Sequence, residues 1–207
     1  MKKKTAVLID LGFAVNKLHR SLGRYVTATD LHSLALKCLN DIEEELFRIY
    51  CYHCPPCSFK LKHPITGLEV DMASKKTYAH NLRLIEDLKQ TNNVAFRSGE
   101  IAFQGWRLSH DAVREIPRTG RSITAEDIIP DIKQKGVDMK IGLDVAWLAS
   151  KSIVERIILI TGDSDFIAPM KFARREGVQI VLATLGHKQV KKELREHTDE
   201  QREVVFP

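Results

Sequence analysis

The stretch from Ile157 to Phe166, I-I-L-I-T-G-D-S-D-F, constrains the fold more than any other in the chain. Its apolar residues do not alternate with polar ones, so a strand built from them is buried on both faces. That is the condition of strands in a parallel sheet covered by helices. The run ends in Asp163 and Asp165, where strand should give way to helix. In open α/β sheets, ligands collect outside the carboxyl ends of the strands. Two carboxylates separated by a single Ser concentrate negative charge that a divalent cation with a taste for hard oxygen ligands, Mg²⁺ or Mn²⁺, would neutralise. A helix cap accounts for one Asp and leaves the other unexplained.

The rest of the chain supports such a sheet. Thr5 to Ile9 is a short apolar run closed by Asp10 and reads as a first, central strand. Thr29 or Asp30 can cap a helix reaching about Arg48, with Leu31, Leu34, Ala35, Cys38, Ile42 and Leu46 at helical spacing. Ile49 to Cys54 reads as a strand stopped by Pro55 and Pro56. A helix is expected from about Ser74 to Gln90, then a strand from Val94 to Arg97 that pairs with Ile101 to Leu108 as a hairpin around Ser98 and Gly99. From His110 to Gln134 the pattern weakens into an exposed basic loop or small insertion. Regular order resumes with a helix opened by Asp138, a strand over Val154 to Thr161, and a helix from Asp165 to Glu176 ended by Gly177. A strand over Val178 to Ala183 follows, then a charged helix from Lys188 to His197. The expectation is α/β: a mainly parallel central sheet with helices on both faces, in a single domain over residues 1–207, with an insertion at about 98–134.

Composition narrows the function classes. A hydrophobic content of 43% in 207 residues suits a globular core. No apolar run approaches a membrane span, and the run after the basic start stops at Asp10, too soon for a signal-peptide core. A soluble, cytoplasmic protein is expected. The net charge of +5 permits a phosphate-backbone partner without requiring one.

Asp10 ends strand one, and Asp138 opens a helix in line with its buried stripe of Ile141 and Val145. In a parallel sheet these two and the Asp163–Asp165 pair meet at one edge, where they repel unless metal binds or some stay protonated. Two-metal sites of this kind activate water and steady the leaving oxygen in phosphodiester cleavage. Asp144 lies about 120° round the helix from Asp138, which suits a place behind the ligands or on the surface.

The strand A-V-L-I-D ending at Asp10, the K-G-V-D of Lys135 to Asp138, the later Asp144 and the T-G-D-S-D-F of Thr161 to Phe166 together resemble the NYN domain, a family of PIN-like nucleases that includes a LabA-like bacterial branch. The resemblance covers roughly Lys3 to Asp30 and Gly136 to Leu185. It implies a three-layer α/β/α fold and metal-dependent RNA cleavage. It also implies that Asp10, Asp138, Asp163 and Asp165 are catalytic and metal-binding residues, with Thr161 supplying a hydroxyl near the metal. Ser164, Asp144 and Asn16 are expected in support around them. One departure stands out: many members carry Asn three residues after the first Asp, and here that position is Phe13. Whether Asn16, one turn later, substitutes is open.

Other clusters are weighed against plainer readings. Cys51, His53, Cys54 and Cys57 have spacings a zinc knuckle uses, but Cys54 faces away from Cys51 on a strand, and only Cys38 or His63 remains to complete the ligands. Buried thiols are preferred over a structural zinc at Cys51, Cys54 and Cys57. Arg97, Arg107, Arg114, Arg118 and Arg121, with Trp106, are candidates for a nucleic-acid groove. Of these, Arg114, Arg118 and Arg121 are expected to bind substrate together with His187 and Lys188, while Trp106 is expected in a hairpin core. Lys191, Lys192 and Arg195 read as a solvated helix face.

The leading expectation is a metal-dependent endoribonuclease acting on single-stranded or structured RNA through water activated by two metals. The alternatives are a catalytically weak PIN-like module that binds RNA or protein, and, ranked lower, a haloacid-dehalogenase-type phosphatase. The last needs D-x-D after strand one, and this chain has Asp10-Leu11-Gly12. Nicotinamide and ATP motifs are absent. The oligomeric state is open, a homodimer included.

Overall fold

The computed structural model describes residues 1–186 and 192–204. Six strands form one parallel sheet: β1 (Lys3–Asp10), β2 (Glu44–His53), β5 (Val94–Ser98), β8 (Arg156–Ile160), β9 (Gln179–Ala183) and β10 (Glu200–Arg202). Their order is β10-β9-β8-β1-β2-β5. The chain therefore runs outward from β1 in one direction through β2 and β5, and in the other through β8, β9 and β10. The order reverses between β1 and β8, which places the topological switch point of the sheet there. Ile9 stands opposite Ile160, so Asp10 and the Thr161–Asp165 turn leave the sheet side by side.

Alternation along the strands builds two cores. Ala6, Leu8, Tyr52, Ile157, Leu159 and Leu182 face α5 (Val137–Ser150), α6 (Ile167–Arg175) and α7 (Lys192–Glu196). Val7, Ile9, Ile49, Cys51, Ile158 and Val181 face α1 (Leu11–Leu22), α2 (Ala28–Lys37) and α3 (Lys76–Gln90). The result is three-layer α/β/α with a mainly parallel sheet. No helix among the described residues is long and apolar enough to cross a membrane.

The structure redraws several boundaries. α1 is a helix that the apolar pattern alone does not announce; Asp10 caps it and Gly23, at φ 64°, ends it. α2 starts at a capping box of Thr27 and Asp30 and stops at Lys37, not near Arg48. Leu46 lies in β2, because the strand between β1 and β5 claims the F-R-I-Y-C-Y run and sheet pairing overrides local helical spacing. β5 joins the parallel sheet instead of forming a hairpin with β6 (Glu100–Leu108), which pairs antiparallel with β7 (Ile128–Lys135). Gly99 makes this turn possible. A Cβ there would lie 2.7 Å from Cys54 Sγ and 2.8 Å from the Lys135 carbonyl. The β6–β7 ribbon carries α4 (His110–Thr119) at its far end, where a basic loop was expected. A small antiparallel pair, β3 (Lys60–Lys62) and β4 (Glu69–Asp71), precedes α3.

A buried charge cluster ties three strands of the sheet together. Glu44, fully buried at the start of β2, accepts from Arg156 of β8 and from both terminal nitrogens of Arg202 of β10, at 2.8 and 2.9 Å. The Asn40 amide adds a bond of 2.7 Å. Burial alone would raise the Glu44 carboxyl, but the bonds from Arg202, Arg156 and Asn40 outweigh it and hold the group at about 2 against an ordinary 4.5. A pKa depressed in the folded state means stability that is present above 4.5 and lost as pH falls towards 2. Glu44→Gln is expected to cost about 3 kcal/mol, since the buried Arg156 guanidinium loses its closest counter-charge while Arg202 keeps Glu200. Denaturant melts at stepped pH should show a shallower fall in stability across that window for the variant than for the parent. Parallel profiles would disprove the role of Glu44.

Candidate active site

Asp10 is the last residue of β1 and the N-cap of α1, and alternation from Ala6 and Leu8 turns its side chain to the α5 side of the sheet. Its Oδ1 accepts from the Phe13 amide at 3.3 Å. Thr161, fully buried just past β8, donates its hydroxyl to Asp10 Oδ2 at 3.4 Å and accepts from the Asp163 amide at 3.1 Å. One hydroxyl thus links the carboxylate of β1 to the turn after β8. Asp163 caps the short 3-10 turn Ser164–Phe166, accepting from the Asp165 amide at 3.0 Å. The cap reading holds for Asp163 and leaves Asp165 exposed with its charge uncommitted. Ser164 begins that turn.

Asp138 stands in the first turn of α5, entered through Gly136 at φ 77°. Burial, then the charges of Asp163 and Asp165, raise its carboxyl above the ordinary 3.8. Asp10 is also raised, chiefly by burial, with Asp138 adding repulsion, while the Phe13 and Gly12 amides and Thr161 pull the other way. The four acids therefore share one electrostatic neighbourhood, and none of them is in an ion pair among the described residues. No three His, Cys, Asp or Glu side chains stand at the spacing of direct metal ligands among the described residues. Mg²⁺ is commonly held by one or two carboxylates and keeps several waters, so an all-oxygen set of this openness suits it.

Asp144 sits behind this group. It accepts from Tyr52 Oη at 2.8 Å and from Arg97 Nε at 2.9 Å. The network joins α5, the helix that carries Asp138, to β2 and β5. Arg97, a candidate for a nucleic-acid groove in the sequence, is instead paired with Asp144, and Tyr52 is not singled out there at all. The signature they share is that each falls on the α5 face of its strand, at the carboxyl end.

Other expected residues land elsewhere. Phe13 packs its ring into the α1–α3 core, and only its backbone reaches Asp10. Asn16 does not take its place. Its amide donates to the Gly12 carbonyl at 2.7 Å and it lines a cavity on the opposite face of the sheet. Arg121 is not a free cation: it grips Asp127 with both terminal nitrogens, at 2.6 and 2.7 Å. Arg107 pairs with Asp131 at 3.5 Å. Arg114 and Arg118 are exposed on α4, at the far end of a ribbon whose strands are roughly 25–30 Å long by strand rise. Trp106 is half-buried, edge-on to His63 at 4.9 Å. His187, Lys188 and Lys191 lie outside the described residues.

Among the described residues the cysteines do not gather into a group of three or more potential metal ligands. Cys51 is buried among the α1–α3 core residues, where burial pushes its thiol up to about 12. Cys54 instead donates to the Glu100 carbonyl at 3.2 Å.

Comparison with known proteins agrees with this architecture. A protein of unknown function from Vibrio parahaemolyticus has a similar fold, with a TM-score of 0.50 and 16% identity, over 99% of this chain and 94% of that one. No curated protein matches the chain significantly. The family model of the NYN domain matches residues 71–204, the segment that carries Asp138, Asp144 and the T-G-D-S-D-F turn. With Asp10 brought beside that turn by the parallel β1–β8 pair, the chain belongs to the NYN domain family, within the PIN-like nuclease superfamily.

Proposed function

We propose that this protein is a metal-dependent endoribonuclease acting at Asp10, Asp138, Asp163 and Asp165. The observation that supports it most is the meeting of these carboxylates at the switch point of a parallel sheet, with no lysine or arginine paired to them among the described residues. Such a group is unfavourable alone, and a cation relieves it. Bound there, Mg²⁺ or Mn²⁺ would supply the charge neutralisation and Lewis acidity that phosphodiester hydrolysis requires. The protein's own part is orientation. The Phe13 amide and Thr161 hydroxyl aim Asp10; the Thr161 hydroxyl and the Asp165 amide aim Asp163. The Asp144–Tyr52–Arg97 network steadies the helix that carries Asp138.

A second reading, an RNA-binding module with little or no turnover, is favoured by Phe13. Where many relatives carry a polar amide, this chain turns an aromatic ring into the core. The phosphatase alternative is set aside, because position 12 is Gly12, inside α1, with no carboxylate to serve as general acid.

Purified protein is expected to cut single-stranded RNA in Mn²⁺ or Mg²⁺ and to stop in EDTA. Asp10→Asn and Asp163→Asn should each lower cleavage by at least a hundredfold while keeping the fold, since Asn caps a helix as well as Asp. Thr161→Val is expected to cost about 1 kcal/mol of stability, by removing the buried Thr161 hydroxyl's bonds to Asp10 and to the Asp163 amide, and to lower kcat. Cleavage that survives both Asp variants would sink the proposal, and binding without cleavage by the parent would favour the module.

The charge argument has its own check. A carboxyl raised in the folded state loses stability for the protein as pH climbs from 3.8 through the raised value. Asp138→Asn should therefore raise the melting temperature at pH 7 without divalent cation. Adding Mg²⁺ should stabilise the parent more than the variant.

A further inference from the structure

The central sheet ends differently on its two sides. At one edge stands β10, three residues long, with charges at Glu200 and Arg202. Short, charged strands of that kind discourage further pairing. At the other edge stands β5, five residues of sequence V-A-F-R-S, with no proline, no lysine and no bulge. Its one charge, Arg97, is engaged by Asp144. Among the described residues no strand pairs with its outer side.

The backbone at that edge is open in a particular pattern. The Ile49 amide donates to the Asn93 carbonyl and the Gly99 amide to the His53 carbonyl, each at 2.8 Å, and these two bonds bracket the β2–β5 ladder. In a parallel ladder so bracketed, residues 93, 95, 97 and 99 turn to β2, and the amides and carbonyls of Val94, Phe96 and Ser98 turn outward. The chain itself uses two of these groups. The Val94 amide donates to the Thr91 carbonyl at 3.3 Å, and the Ser98 carbonyl accepts from Lys140 of α5. The Val94 carbonyl, the Phe96 amide and carbonyl and the Ser98 amide have no partner among the described residues. An open row of this kind is a template for another strand.

These four groups complement themselves. Antiparallel pairing of β5 with a copy of itself, centred on Phe96, sets Phe96 opposite Phe96 and Val94 opposite Ser98. The two Phe96 residues then exchange amide–carbonyl bonds, and each Ser98 amide meets a Val94 carbonyl. Every open group finds a partner. Centring the pair on Ala95 or Arg97 would instead set Phe96 against the closed Val94 amide or the closed Ser98 carbonyl. The side chains suit the same register. Arg97 lies opposite Ala95, so no like charges oppose each other, and the two half-buried Phe96 rings adjoin on the α3 face.

A five-residue strand pair alone falls short of the roughly 800 Å² that each partner of a stable interface buries. α5 extends the surface. Lys140 reaches Ser98 and Asp144 reaches Arg97, so α5 runs beside β5 in the opposite direction and an axis through Phe96 passes near its middle. Leu143 and Trp147 follow Lys140 at three and seven residues, on the same side of the helix. With Met139 they form an apolar stripe, 62%, 47% and 66% exposed respectively. The two-fold axis runs two such stripes antiparallel, Leu143 towards Leu143 and Trp147 towards Met139. We propose that a second copy of this chain docks along β5 and α5, joining two six-stranded sheets into one continuous sheet. The axis sends the two carboxyl edges to opposite ends, so neither acidic group lies in the interface, and the proposal stands apart from the nuclease reading.

The test is analytical ultracentrifugation of the full chain without RNA or divalent cation, which should show a concentration-dependent dimer. Leu143→Glu brings two carboxylates together at the axis. Ser98→Pro removes an outward amide and no bond to β2, a change that edge strands tolerate. Each should weaken the dimer at least tenfold while the circular dichroism stays that of the parent. Amide exchange reads the same contact in the parent chain, with no variant needed. The Phe96 and Ser98 amides should exchange at least tenfold more slowly in the dimer than in the diluted monomer, and the amides of β10 should not change. A chain that stays monomeric at every concentration would overturn the proposal and leave the edge to an extended peptide of another protein. A dimer that both variants leave intact, or whose Phe96 and Ser98 amides exchange as fast as in the monomer, would overturn it too. So would a monomer in which those two amides are already slow, because the edge would then be closed within one chain.

Discussion

The parallel pairing of β1 with β8 is the contact on which the rest of this molecule depends. It places Ile9 against Ile160, and so brings residue 10 beside residue 161 from opposite ends of the chain. Both strands are central and buried on two faces, so a slip of one residue would exchange the two cores and is strongly opposed. Everything of chemical interest hangs from that register. Asp10 leaves one strand, the Asp163–Asp165 turn leaves the other, and the Thr161 hydroxyl bonds to both sides.

Concentrating carboxylates at this point has a cost, visible in the raised proton affinity of Asp10 and Asp138. The fold offsets it with backbone donors instead of basic side chains: the Phe13 amide at Asp10 and the Asp165 amide at Asp163. These donors orient the oxygens but leave net charge in place, which is the state that attracts a cation. Basic residues are used where charge must be cancelled outright. Arg156 and Arg202 cancel Glu44 inside the sheet, Arg97 meets Asp144 behind the site, and Arg121 meets Asp127 at the tip of the ribbon. The contrast sets these paired carboxylates against the four at the carboxyl edge, which have no ion pair among the described residues.

The β6–β7 ribbon shows why local pattern can mislead. Its strands are only partly buried, so their sequence lacks a continuous apolar run, and α4 between them is short with Pro117 inside it. Such a segment resembles a loop until its long-range partner is known. The positive charges on it suggested an approach to the cleft. Pairing with Glu115, Asp127 and Asp131 consumes Arg121 and Arg107, while Arg114 and Arg118 stay exposed on α4.

The sequence by itself determined the layered α/β class and the central strands, and it set four carboxylates at strand and helix ends. Each of these follows from local chemistry: strands without alternation must be buried on both faces, and carboxylates that close such strands emerge at one edge. Only the tertiary structure decided where α2 yields to β2, that β6 pairs with β7 and not β5, and that Asp144 is bound by Tyr52 and Arg97. It alone brought His53, Asn81 and Gln134 to one cavity. These outcomes rest on contacts between residues tens of positions apart. No window of local sequence contains both partners of such a contact.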